Sequence, residues 1–298
     1  MALDHSSHAT YSSATNSLIH FCDIHNFNLN PTAETLSLYV VWMCHHIDPR
    51  SVDKYLSGIC SELEAFYPDV RKNRKSMLVS RTLKGCRRMF SRPIHRKQPL
   101  SRTHLQLILD RLPPSPSYDD LLFVTMLFTG FYGLLRLGEL TMPDNPVLRN
   151  LAKWTLRSLV EWLLEGFAFW LRSHKADSSF EGSRVIIPHH PSLSVIPLFH
   201  RYLQHRNEKF PLHPFLWIRA NGSVPACSWF IRRLRRFIPD CNYAGQSLRA
   251  GGATALAEDG VPYHLIQAAG RWSLDTFQIN IRKNPVFLQI LLGRHREH

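Results

Sequence analysis

Apolar residues recur at helical spacing across residues 10–90 and again from residue 192 onward. Between them the stretch 158–172 abandons that spacing for alternation. It is rich in Val, Trp and Phe, places Gly166 where a turn is needed, and is followed by a similar short run at 184–187. Alternation puts successive side chains on opposite faces of a strand, whereas a 3.6-residue period gathers them on one helix face. The expectation is a mainly α chain carrying a small antiparallel sheet, an α+β fold.

Residues 10–27 read as one helix. Asn30-Pro31 supplies a cap and a proline at the first helical position, and Leu36, Tyr39, Val40 and Met43 then form an apolar stripe. Residues 51–65 repeat the pattern with Tyr55, Ile59 and Leu63. Residues 76–90 place Leu78, Leu83 and Met89 on one side, with Arg81, Lys84, Arg87 and Arg88 around it. The apolar stripes are core, and the basic face is the candidate for function. Residues 91–100 carry two prolines and no periodicity, which marks a boundary. The expected organisation is a helical domain 1–91, a basic linker 92–100 and a second domain 101–298. In that second domain Ser101 caps a helix to Leu109, 118–132 forms a long apolar helix, and further helices occupy 192–205, 228–237 and the chain beyond Gln246. Residues 215–218 read as a short strand.

Charge narrows the partners. The chain holds 36 Lys+Arg against 23 Asp+Glu, a formal net charge of +13. Residues 1–66 hold only Arg50 and Lys54 as Lys or Arg, against seven acidic residues, whereas 71–97 hold eleven Lys or Arg and no acid. A one-sign block of this length suits phosphate contact, so nucleic acid is the first partner expected and an anionic membrane surface the second. The candidate DNA-contacting residues are Arg81, Lys84, Arg87, Arg88, Arg92, Arg96, Lys97, Arg232 and Arg235. Six widely spaced cysteines form no CxxC pair, which fits reduced thiols in an intracellular protein. The seventeen histidines include His45-His46 and His189-His190 but form no HxxxH or HExxH pattern, so neither a metal nor a cofactor is expected. No signal peptide and no membrane span are expected, since no apolar run reaches ~18 residues.

Several cations could serve phosphate chemistry, because a guanidinium fork donates two hydrogen bonds to phosphate and keeps its charge. Arg136 closes an apolar helix with Glu139 one turn away; a local Arg–Glu pair and a phosphate ligand are both consistent with this. Lys175 sits in a loop between strands, as many ordinary exposed lysines do. Arg249 precedes Gly251-Gly252. Two glycines inside a helix cost roughly 1 kcal/mol each, so they imply close backbone approach to something.

Taken in order, Arg136, Lys175, Gln246-Ser247-Leu248-Arg249, Trp272 and position 280 resemble the active site of the tyrosine recombinases, the phage-integrase family. Residues 134–140 are similar to the first family box and residues 245–254 with 269–283 to the second. The runs Gly270-Arg271-Trp272-Ser273 and Ile281-Arg282-Lys283-Asn284-Pro285 are similar to recombinase-like genes of fungal mobile elements. The resemblance implies a two-domain fold, a helical core-binding domain joined to an integrase-type catalytic domain. It implies DNA integration and site-specific recombination on double-stranded DNA, in homo-oligomers, without a cofactor, and in the nucleus if the source is eukaryotic. Lys175 stands where the family has its β-hairpin general acid, Gln246–Arg249 where it has His-x-x-Arg, Trp272 at its His/Trp position and Asn280 at its tyrosine nucleophile. Two departures matter. A glutamine amide can donate to a phosphate oxygen but cannot shuttle a proton near neutral pH, and an asparagine amide cannot form a phosphotyrosine-type intermediate. No tyrosine follows Tyr263. The expectation is a DNA-binding, cleavage-deficient pseudoenzyme; the alternative is a non-enzymatic architectural protein domesticated from a mobile element. Residues 284–292 are apolar and suit either a helix docked on a neighbouring protomer or an intramolecular one.

Overall fold

Thr32, and not Asn30, caps the second helix of the chain: its hydroxyl accepts from the Thr35 N–H at 3.1 Å. The expectation at Asn30-Pro31 is thus two residues early. The N1 proline appears one helix later, where Asp48 caps Pro49 and accepts from Arg50 N–H at 2.9 Å. These assignments come from a computed structural model that describes residues 5–173, 177, 181–190, 193–273 and 289. The chain divides into two units, Met1–His95 and Arg96–His298.

The first unit contains α1 (His5–His25), α2 (Ala33–His46), α3 (Pro49–Leu63), α4 (Val70–Arg74) and α5 (Met77–Phe90). Its core gathers Leu18, Leu36, Tyr39, Val40, Val52, Leu56, Ile59 and Val79, all essentially without solvent contact. Cys22, Cys44, Cys60 and Cys86 are buried there as free thiols, acting as small apolar side chains. Burial, reinforced by Cys86, pushes the Cys44 thiol up to about 12. The stripe expected on α5 is displaced. Val79, Leu83 and Cys86 face the core, whereas Leu78 and Met89 are 46% and 78% exposed. Hydrophobicity alone did not separate the two sets; the 79, 83, 86 spacing is the one that shares a helix face.

The second unit contains α6 (Arg102–Asp110), α7 (Tyr118–Tyr132), α8 (Leu137–Leu140), β1 (Val160–Leu163), β2 (Gly166–Leu171), β3 (Ser183–Pro188), α9 (Ile196–Lys209), α10 (Cys227–Phe237), α11 (Gly245–Glu258) and α12 (Tyr263–Ala269). The sheet is antiparallel in the order β1-β2-β3, with Glu161 opposite Ala168 and Ala168 opposite Ile186. Gly166 opens β2 at φ +148°, and a Cβ there would stand 2.2 Å from the Ile187 carbonyl oxygen. The fold therefore matches the sequence expectation of a mainly helical chain with a small antiparallel sheet. Every residue of α7 from Leu121 to Phe131 is buried, so this helix is the centre of the unit and is apolar on all sides. Phe167 of β2 stacks on Phe199 of α9 with ring centres 3.8 Å apart.

Residues 215–218 do not form the expected strand. They make a single bridge, Leu156 to Phe215. The reason lies in α9, where the fully buried Arg206 donates to the carbonyls of Phe210, His213 and Phe215, and the Tyr202 hydroxyl donates to the Leu216 carbonyl at 2.9 Å. Side chains take acceptors that a neighbouring strand would have used.

Candidate functional site

The turn from α7 into α8 builds the first half of the site. Leu134 adopts φ +49°, which turns the chain so that Arg136 becomes the N-terminal cap of α8. Glu139, three residues on, reaches back twice: Oε2 accepts from the Arg136 backbone N–H at 2.9 Å and Oε1 from Arg136 Nη1 at 3.0 Å. The local Arg–Glu pair that anchors a helix end is therefore present.

The second half comes from α11 and the turn after α12. Arg271, at φ +54°, folds its side chain inward and donates from Nη2 to Glu139 Oε2 and to the Leu134 carbonyl, each at 3.2 Å. Arg249 lies on the second turn of α11, 7% exposed. It donates from Nη2 to the Gly270 carbonyl, and its guanidinium carbon sits 4.4 Å from the centre of the Trp272 ring, a cation–π contact. Its Nε and Nη1 are buried without a hydrogen-bond partner among the described residues. Gln246, one turn earlier on α11, is exposed. Arg136, Arg249, Arg271, Glu139 and Trp272 thus form one cluster within the second unit. Sequence reasoning passed over Arg271, although it lies inside the run Gly270-Arg271-Trp272. Only its pairing with a glutamate 132 residues away marks it.

Electrostatically the cluster is unbalanced. Glu139 is the carboxylate acting on Arg249 and Arg271, and the other groups acting on them are arginines. Burial first, then the charge of Arg136, lowers the Arg249 guanidinium to about 9, so it stays charged at neutral pH. Because the folded value lies below the ordinary one, the unfolded chain holds that proton more tightly. The cost of the charge is fully present at neutral pH and is relieved only as pH rises past about 9. Arg249→Leu is accordingly expected to leave stability unchanged or raise it by about 1 kcal/mol in urea unfolding, even though the bond to Gly270 is lost. A loss of more than about 2 kcal/mol would mean that the charge serves the fold.

Gly251 and Gly252 do make the close approach expected of them, but the neighbour is the chain itself. A Cβ on Gly251 would lie 2.1 Å from the Leu100 carbonyl oxygen, and one on Gly252 2.0 Å from that of Phe131. Lys175 and Asn280 lie outside the described residues, as does all of 284–292 except Gln289.

The expected DNA-contacting residues are all on the surface. Arg81, Lys84, Arg87 and Arg88 are exposed on α5, Arg92, Arg96 and Lys97 in the irregular stretch after it, and Arg232 and Arg235 on α10. The basic block is partly neutralised by the acidic segment before it. Asp53 holds Arg74 at 3.1 Å and Arg87 at 3.4 Å, and Glu64 holds Arg71 at 2.6 Å. Lys97 donates to the Cys241 carbonyl at 2.7 Å. Arg81, Lys84, Arg88 and Arg96 make no ion pair among the described residues. No group of three His, Cys, Asp or Glu able to hold a metal occurs among the described residues, and none of their helices is long and apolar enough to cross a membrane.

Helices packed with a three-stranded antiparallel sheet match the tyrosine recombinase fold of solved structures. The chain is similar to the XerH site-specific recombinase bound to palindromic difH substrate, at 17% identity and TM-score 0.58 over 90% of this chain and 73% of that one. It is similar to the Tn1549 transposon integrase in complex with a circular intermediate DNA, at 12% identity and TM-score 0.58 over 85% and 81%. It is also similar to a lambda integrase dimer bound to a COC′ core site, at 15% identity and TM-score 0.57 over 93% and 89%. No protein-family model and no curated protein matches the sequence.

Proposed function

We propose that this chain binds duplex DNA as a tyrosine recombinase-type protein and does not cut it. The observation that carries the reading is the charge imbalance at Glu139: among the described residues three guanidinium groups meet one carboxylate, and two donors of the buried Arg249 have no acceptor there. A phosphodiester supplies both the missing charge and the missing acceptors. Arg136, 30% exposed, receives it from solvent, Gln246 donates an amide hydrogen to a phosphate oxygen, and the resemblance assigns Lys175 as the general acid. XerH, the Tn1549 integrase and lambda integrase were each solved on DNA, which supports the same partner here. The exposed Lys and Arg of α5 in the first unit, and of α10 in the second, each offer further phosphate contacts.

Strand cleavage needs a nucleophile that displaces the 5′-oxygen from phosphorus. Asn280 stands where the resemblance puts that tyrosine, and an amide nitrogen does not attack phosphorus. Retained cations beside a missing nucleophile favour a protein that occupies DNA, assembles there with further copies as the lambda integrase dimer does, and acts in the nucleus of a eukaryotic source as the product of a mobile element.

The test is a nicked suicide duplex from the parent element. The wild-type chain should be retained with a salt slope of several charges and form no covalent adduct. An adduct would overturn the cleavage-deficient reading. Asn280→Tyr then asks whether the nucleophile is all that is missing. An adduct in that variant would say so, and none on DNA that it binds would extend the loss to Gln246.

A further inference from the structure

Helix α5 contains a glycine that the fold does not use. Gly58, Gly130, Gly245, Gly251 and Gly252 also sit in helices, and in each a Cβ would come within 3.0 Å of a neighbour. Their packing explains them. A Cβ on Gly85 would meet nothing within 4 Å, and the backbone there is ordinary helix. Glycine in a helix interior is disfavoured against alanine by backbone entropy, so an unpacked one lowers stability with no return inside the protein. Gly138 also faces open space, but it lies in the four-residue α8.

The position of Gly85 supplies the return. It follows Arg81 by four residues and precedes Arg88 by three, so it lies on the same face between them, with Lys84 beside it. Arg81, Lys84 and Arg88 are exposed and make no ion pair among the described residues, unlike Arg87, which Asp53 holds. Leu78 and Met77 extend the face and are 46% and 65% exposed. The core side of the helix is Val79, Leu83 and Cys86.

We propose that the sugar–phosphate backbone of duplex DNA lies against α5 at Gly85, where the missing side chain lets it come close enough for Arg81 and Arg88 to reach phosphates on either side. This rests on the reading that the chain binds DNA. Charge complementarity selects the occupant. A second copy of the chain would set like charges against one another at this face, whereas a phosphate backbone neutralises them and releases counterions. Exposed Met and Leu beside the arginines suit contact with the apolar faces of the sugars.

Gly85→Ala and Gly85→Leu, made in the full chain, separate this role from a structural one. Both should raise the thermal midpoint of the first unit by a few degrees, because the helix improves and nothing is displaced. Both should weaken binding of a mixed-sequence DNA duplex at low salt, the alanine by about fivefold and the leucine by more, while the anisotropy of the free duplex is unchanged. Wild-type affinity in both variants overturns the inference, and so does a lowered midpoint, which would return the glycine to the fold. A wild-type chain that fails to bind the duplex, or prefers anionic phospholipid vesicles, overturns the DNA reading and this inference with it.

Discussion

Glu139→Gln should destabilise the protein by about 3 kcal/mol, and Glu139→Ala by somewhat more, in urea unfolding of the full chain. The side chain of Glu139 is 7% exposed and that of Arg271 9%. Removing the carboxylate leaves Arg271 and Arg249 as buried cations facing Arg136 with no counter-charge among the described residues, and an uncompensated buried charge typically costs about 3–5 kcal/mol. Glutamine keeps one oxygen to accept from the Arg136 backbone N–H, so the cap survives and the loss isolates the charge. Alanine removes the cap too, which adds about 1 kcal/mol. Two companion measurements fix the cause. The double variant Glu139→Gln/Arg271→Met should recover part of the loss, since one stranded cation goes with its partner. Sulfate should stabilise Glu139→Gln more than the wild type, because an anion binding the uncompensated arginine cluster adds its binding free energy to folding. A Glu139→Gln variant within about 1 kcal/mol of wild type would show that the carboxylate does not compensate the cluster, which would then have no charge deficit for a phosphate to fill.

How far the sequence reached depends on the range of the interaction. Helix α7 was legible to the residue, 118–132, because an apolar run that long ends at Gly133 and starts after a cap at Ser117. The Arg136–Glu139 pair was legible because its members are three residues apart. So was the exposure of Arg81, Lys84 and Arg88, since charged side chains on a helix stay in water unless paired. What failed is what other segments decide. The Val79, Leu83, Cys86 face of α5 and the Leu78 and Met89 positions both contain apolar residues, and only the packing of α2 and α3 on α5 chooses between them. Residues 215–218 have strand composition, yet Arg206 and Tyr202 bind their carbonyls first. Arg271 carries no local sign of burial at all. Its partners Glu139 and Leu134 are brought to it by the return of α11 and α12 against the end of α7.

The glycine pair on α11 shows the same limit from the other side. Two consecutive glycines were legible as a close approach, but the sequence could not say to what. Leu100 and Phe131 answer that question, and the answer ties the site to the frame. The Leu100 N–H donates to the Ser247 carbonyl at 3.0 Å, and Arg102 donates to the Ala255 carbonyl at 3.2 Å. The chain before α6 therefore runs along α11 in contact with it, and the end of α7 presses on it from Gly252 and Leu134. Arg249 is set by these contacts and by no bond of its own to α7.

Gly252→Ala should consequently be among the most damaging single substitutions in the protein. The new Cβ would lie 2.0 Å from the Phe131 carbonyl oxygen and 2.6 Å from Leu134 Cδ2, and the first of these is backbone that cannot rotate away. Relief requires α11 to retreat by more than 1 Å from α7, breaking the contact at Leu134 and carrying Arg249 off Gly270 and Trp272. Alanine gains about 1 kcal/mol in helix propensity, but overpacking against fixed backbone costs about 3 kcal/mol or more, so the loss wins. The same substitution at Gly85 meets open space and keeps the propensity gain. Two glycine-to-alanine changes, each inside a helix, should therefore move the thermal midpoint in opposite directions, up at position 85 and down by roughly ten degrees at position 252. DNA binding should fall in both, at 85 because the partner is held off and at 252 because Arg249 is displaced. Hydrogen exchange separates the causes: amides of α11 should lose protection in Gly252→Ala, and those of α5 should keep or gain it in Gly85→Ala. If Gly252→Ala unfolds at the wild-type midpoint with α11 still protected, then α11 does not press on Phe131 as described, and the placement of Arg249 beside Glu139 must be abandoned with it.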